Sequence, residues 1–176
     1  LIHKINEVLI MSNLCMNIEK WILTKNLNNA RPDMQVLKLY EELGELSQAV
    51  NINDKNEIKD AIGDIFVATC TLMSQIDIKI NYNFNRRISN QSKEQDVINI
   101  SLAINQIATS YQCDSSVCYK NIIGLFHNLE KFCAHTNFTL QDAVQYAYNQ
   151  IKKRSKFYSN GPVSYTHLTL PTTPYV

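Results

Sequence analysis

Residues 35–50, QVLKLYEELGELSQAV, and residues 57–72, EIKDAIGDIFVATCTL, decide how this chain folds. At 100° per residue, Leu39, Leu43, Leu46 and Val50 form one apolar stripe with Val36 and Tyr40 beside it, which specifies a helix. Ile58, Ile62, Ile65, Thr69, Leu72 and Ile76 form a second stripe. The connection NINDKN (51–56) is short and polar, so the two helices become antiparallel neighbours. Lys38, Glu42 and Glu45 share a face about a third of a turn from the leucines, with Glu41 further round. Glu57, Asp60 and Asp64, spaced i, i+3 and i+7, share one edge of the second stripe. If the stripes pack together, the acidic edges face each other across the groove.

Helical periodicity recurs at about 4–26, 93–111, 116–135 and 140–156, and no segment reads as an alternating strand. The expectation is an all-α protein, an antiparallel bundle of five to six helices. The asparagine-rich IKINYNFNRRISNQ (78–91) reads as a solvated link between a front helical pair and a back one. The segment TLQD (139–142) reads as a capping box opening the last helix. The length of 176 residues suits one compact domain, read as residues 16–161. Residues 1–15 read as an N-terminal extension, since the chain begins with Leu1 while Met11 and Met16 are plausible starts. The tail at 162–176 ends in VSYTHLTLPTTPYV, which lacks periodicity and reads as adaptor- or vector-derived.

Seventeen basic and sixteen acidic residues leave a net charge of +1, which provides no electrostatic footprint for nucleic acid or a membrane surface. Apolar runs fall short of the roughly 18 residues a membrane span needs. LIHKINEVLIM (1–11) is interrupted by Asn6 and Glu7, and no small-residue cleavage site follows it. Five cysteines, an odd number without framework spacing, fit a reducing cytoplasm. Cys113, Cys118, His127, Cys133 and His135 lack the i, i+4 pairing a structural zinc site on a helix requires.

Carboxylates gathered in one small volume repel and raise one another's pKa. A hard divalent cation removes that repulsion, and magnesium takes oxygen ligands at about 2.1 Å while keeping positions open for water and phosphate. The spacing has a bland reading too. Acidic i, i+3 and i+4 patterns occur on solvated helices, Lys38 and Glu42 are spaced for an ordinary ion pair, and Asp54 with Glu57 reads as a capping box. Gly44 and Gly63, each weakening its helix, hint at close backbone approach beside the carboxylates.

The paired segments resemble the MazG-like (phage-type) all-α nucleoside triphosphate pyrophosphohydrolases, which carry E-E-x-x-E on one helix and E-x-x-D on the next. Trp21, Pro32 and Gln35 upstream and AYNQIKKR (147–154) downstream are also placed as in that family, so the resemblance spans about residues 16–161. It implies hydrolysis of nucleoside triphosphates between the α and β phosphates, with Mg²⁺ as cofactor and Mn²⁺ as substitute, in a homodimer or homotetramer. Glu42 and Glu45 match metal ligands, and Glu41 is the acid placed to orient or deprotonate water. The second motif aligns in two registers. Spacing selects Glu57 and Asp60, whereas GDIFV (63–67) selects Asp64, puts Ala61 where a glutamate is expected, and leaves Asp60 as its substitute. The burial phase of the helix favours the second register. Asn149, Lys152, Lys153 and Arg154 match nucleotide contacts, with a basic turn complementing the helix dipole as the other reading of the lysines. Lys38 would offset triphosphate charge, and Trp21 either stacks on a base or belongs to the core. A dUTP- or dCTP-selective relative and a non-catalytic helical module remain the alternatives.

Overall fold

The computed structural model describes residues 2–153, with side chains from residue 13 onward. Among these residues, six α-helices run in order: α1 (Ile2–Thr24), α2 (Pro32–Ile52), α3 (Lys55–Gln75), α4 (Lys93–Ser110), α5 (Ser115–Cys133) and α6 (Leu140–Ile151). A single 3₁₀ turn, Leu27–Asn29, joins α1 to α2. No strand occurs among the described residues, so the all-α expectation holds. No helix among them is long and apolar enough to cross a membrane.

Local chemistry accounts for the sharp connection between α2 and α3. Asn53 adopts the left-handed conformation at φ 57°, which asparagine tolerates better than most residues. Its N–H donates to the Val50 carbonyl and that of Asp54 donates to Ala49, the paired bonds of a Schellman motif. The Asp54 carboxylate then accepts from the N–H groups of Asn56 and Glu57, opening α3 at once. Helix stop and helix start therefore occupy adjacent residues, and the two helices fold back as an antiparallel hairpin. Gln35 donates to the Ala68 carbonyl at 3.1 Å, tying the far end of that hairpin. Helices α4 and α5 form the second hairpin, pinned by Asn121 to Gln106 O and Asn128 to Asn99 O, both 3.1 Å.

α3 is the hub. The sequence suggested a single buried stripe, but every residue from Ile65 to Met73 is buried, because α1, α2, α5 and α6 all pack on it. A helix that is apolar all round belongs in the centre of a bundle. Gly63 is the point where α6 crosses closest: a Cβ there would meet the Ala143 carbonyl oxygen and stand 2.8 Å from the Ala147 Cβ. Gly44 is different, with open space where its Cβ would lie, so the hint of close approach holds for one glycine and fails for the other.

The link at 78–91 is not a solvated spacer. It forms no regular secondary structure, yet alternate residues Ile80, Tyr82 and Phe84 are buried. Their rings close an aromatic cluster: Phe66 stacks on Phe126 at 4.3 Å, and Tyr82 meets Phe126 edge-on at 4.8 Å. The pattern IKINYNFN alternates with period two, the mark of an extended segment with one buried face. Beyond it, Arg87 pairs with buried Glu130 at 2.8 Å, and the Asn85 N–H donates to the same carboxylate. Burial still pushes the Glu130 carboxyl above its usual range, against the pull of these partners.

α6 is opened by a complete capping box: Thr139 Oγ1 accepts from the Asp142 N–H, and the Asp142 carboxylate accepts from the Thr139 N–H at 2.8 Å. Thr139→Ala is expected to cost about 1 kcal/mol, read as a lower urea midpoint at unchanged slope.

Candidate metal and phosphate site

The site is built on the facing surfaces of α2 and α3. Glu42 was expected beside the apolar stripe, but the structure puts it within the buried face, between Leu39 and Leu46, at 2% exposure. One of its oxygens, Oε1, pairs with Lys38 Nζ at 2.8 Å; the other, Oε2, is buried with no hydrogen-bond partner. Burial, then the nearby charge of Asp64, pushes the Glu42 carboxyl up to about 8, with Glu45 adding to the rise and Lys38 opposing it. Glu42 on α2 thus feels the charge of Asp64 on α3 as well as that of Glu45 on its own helix.

Lys38 lies only 11% exposed and also reaches Glu41 at 3.0 Å, whose side chain is half exposed. Burial works to lower the Lys38 pKa, but its two carboxylate partners outweigh it and the net shift is upward. The i, i+4 ion pair expected from spacing is present, and it lies inside the acidic site rather than on a solvated face.

The remaining acids divide. Asp60 accepts from Gln150 Nε2 at 2.9 Å, so it is engaged by α6. Gln150 escaped the sequence reading, since nothing in AYNQIKKR marks it over its neighbours. Ala61, where a glutamate was expected, is buried at 3%. Glu57 stands exposed in the first turn of α3, about 10 Å along the axis from Asp64 at 1.5 Å per residue, and is not drawn to Glu42. Its partnership with Asp54 is one-sided: Asp54 caps the Glu57 N–H, while the Asp54 N–H is already held by Ala49.

Among the expected nucleotide contacts, Asn149 is half-buried and accepts from Gln145 at 3.2 Å. Lys152 and Lys153 are exposed just past α6, one turn from the Gln150–Asp60 contact. Trp21 packs against the core, and its indole Nε1 is buried without a partner. Arg154 and the 162–176 tail lie outside the described residues.

An oxygen-only donor set containing a buried, unpartnered carboxylate oxygen fits a hard divalent cation in its chemistry. Among the described residues, no group of three or more His, Cys, Asp and Glu side chains is gathered closely enough to hold one. Glu42, Glu45, Glu57, Asp60 and Asp64 are therefore not drawn into a ready-made cage. Magnesium characteristically uses one or two carboxylates and completes its shell with water and substrate phosphate, so Glu42 with one neighbouring acid meets that need in kind. The five cysteines are free thiols, four of them buried.

Residues 16–88, the segment carrying both acidic helices, match the family model for phosphoribosyl-ATP pyrophosphohydrolase. Phosphoribosyl-ATP pyrophosphohydrolase belongs to the MazG-like all-α nucleoside triphosphate pyrophosphatase superfamily, so the matched segment is similar to that superfamily. The matched segment covers less than half of the chain, and α4 to α6 lie beyond it. A protein of Haemophilus phage HP1, described as an uncharacterized 18.2 kDa protein in the rep-hol intergenic region, is 42% identical over 66 residues. That similarity covers 37% of this chain and 40% of the phage protein. No solved structure matches the chain.

Proposed function

We propose that the chain hydrolyses nucleoside triphosphates between the α and β phosphates, giving a nucleoside monophosphate and pyrophosphate. The observation that carries this reading is the buried Glu42 carboxylate, with one oxygen lacking a hydrogen-bond partner and the charges of Asp64 and Glu45 acting on it. It lies within the segment that matches a pyrophosphohydrolase family.

Glu42, Glu45, Asp64 and Asp60 are the residues that would hold Mg²⁺, or Mn²⁺ in its place. When bound, such an ion neutralises charge on the phosphates and lowers the pKa of coordinated water. Glu41, half exposed at the rim, receives the proton of the attacking water. The water oxygen bonds to the α phosphorus, the bridging Pα–O bond breaks, and pyrophosphate leaves with that electron pair. Lys38 offsets phosphate charge from α2, as do Lys152 and Lys153 from the end of α6. Gln150 holds Asp60 and so couples α6, which carries Asn149, to the acidic helices.

The test is a pyrophosphate-release screen over the common ribo- and deoxyribonucleoside triphosphates and phosphoribosyl-ATP, with and without Mg²⁺. Metal-dependent release from at least one of them, lost in Asp64→Asn, is the expected result. Release from dUTP or dCTP alone would narrow the activity to a pyrimidine-selective enzyme. A folded protein inactive on all of them would replace the enzyme reading with a helical interaction module.

A further inference from the structure

We propose that Lys38 is a built-in counter-cation of the Glu42 carboxylate, competing with a divalent ion for it and turning to substrate phosphate once the ion enters. The inference rests on the metal-binding reading above and adds an order of events to it. Lys38 Nζ stands 2.8 Å from Glu42 and 3.0 Å from Glu41, bridging a buried acid and a rim acid one residue apart. It is set between the residue assigned to the ion and the residue assigned to the water. A single ammonium satisfies only one edge of the Glu42 carboxylate, and Oε2 is left buried with no partner.

A lysine ammonium is a compact point charge on a flexible four-carbon stem, able to trade one oxygen partner for another without moving its helix. A divalent ion seated on the same carboxylate would repel it at contact distance, in a setting too dry to screen the repulsion. Lys38 and the ion therefore exclude each other from Glu42. Glu41, half exposed, marks the direction in which the ammonium can leave. Phosphate oxygens arriving with the ion would then receive it. Lys38 thus holds the carboxylates together in the metal-free protein, lowers the affinity for free ion, and delays its own phosphate contact until the ion is in place.

The test is Mn²⁺ binding to the full chain, read from the loss of the free-ion electron paramagnetic resonance signal, in wild type, Lys38→Met, Lys38→Arg and Glu42→Gln. Lys38→Met is expected to bind Mn²⁺ about tenfold more tightly than wild type, with Lys38→Arg close to wild type. Its melting temperature in chelator should fall, and the rise on adding Mn²⁺ should exceed that of wild type. Equal or weaker Mn²⁺ binding by Lys38→Met, with wild-type binding intact and lost in Glu42→Gln, overturns the counter-cation role and leaves the metal reading standing. Equal Mn²⁺ binding by wild type and Glu42→Gln overturns the metal reading and this inference together. If Lys38→Met does not fold, Lys38→Gln replaces it with the same two readouts.

Discussion

Glu42→Gln is expected to lower metal-dependent pyrophosphate release about 1,000-fold while leaving the helical circular dichroism spectrum unchanged. Glutamine keeps the shape of the side chain and removes the charge a divalent ion needs, and losing about 4 kcal/mol of charge stabilisation corresponds to that factor. Turnover within tenfold of wild type would remove Glu42 from the site. The same substitution has a second signature in chelator. The folded Glu42 carboxyl is raised to about 8, above its ordinary 4.5, so folding favours its protonated form. The stability this contributes is complete below about pH 4.5 and is lost as pH rises through about 8. Urea unfolding of metal-free wild type should therefore weaken over that window, by at most about 1.4 kcal/mol per pH unit from this group. Glu42→Gln should flatten that dependence, and an unchanged slope would show that Glu42 is not the group responsible.

Gly63→Ala is expected to destabilise the fold by about 3 kcal/mol, the larger end of what overpacking costs. The added Cβ would meet the Ala143 backbone oxygen and lie 2.8 Å from Ala147, where no flexible side chain can give way. Relief requires α6 to lift off α3, and that motion also pulls Gln150 from Asp60. Gly44→Ala, one helix away, meets nothing within 4 Å and should gain up to about 1 kcal/mol from helix propensity. Chemical denaturation of both variants measures the contrast. Equal effects would show that the α3–α6 crossing is looser than the contact at Gly63 implies.

The helices were legible because their signals are local. Stripes in 35–50 and 57–72, the turn at Asn53 and Asp54, and the Thr139 box each depend on residues within a few positions of one another. The link at 78–91 was misread although its alternation is plain, because asparagines between the apolar residues mimic the composition of a solvated loop. The aromatic faces of Phe66 and Phe126, contributed by distant helices, give Tyr82 and Phe84 a surface to cover. Glu57 satisfies the motif spacing with Asp60 and stands exposed in the first turn of α3, a placement that spacing does not encode.

By itself, the sequence determined that the described residues form a helical bundle and that α2 and α3 fold back on each other. Each of these follows from periodicity and a short connection, which are properties of neighbouring residues. The tertiary structure alone decided that α3 is the hub, that Gly63 receives α6, that Gln150 engages Asp60, and that Glu42 lies buried with one oxygen unpartnered. Those depend on which helices pack against which and how closely. A side chain's solvation and its partners across the bundle are set by residues up to 90 positions away, and no local pattern encodes them.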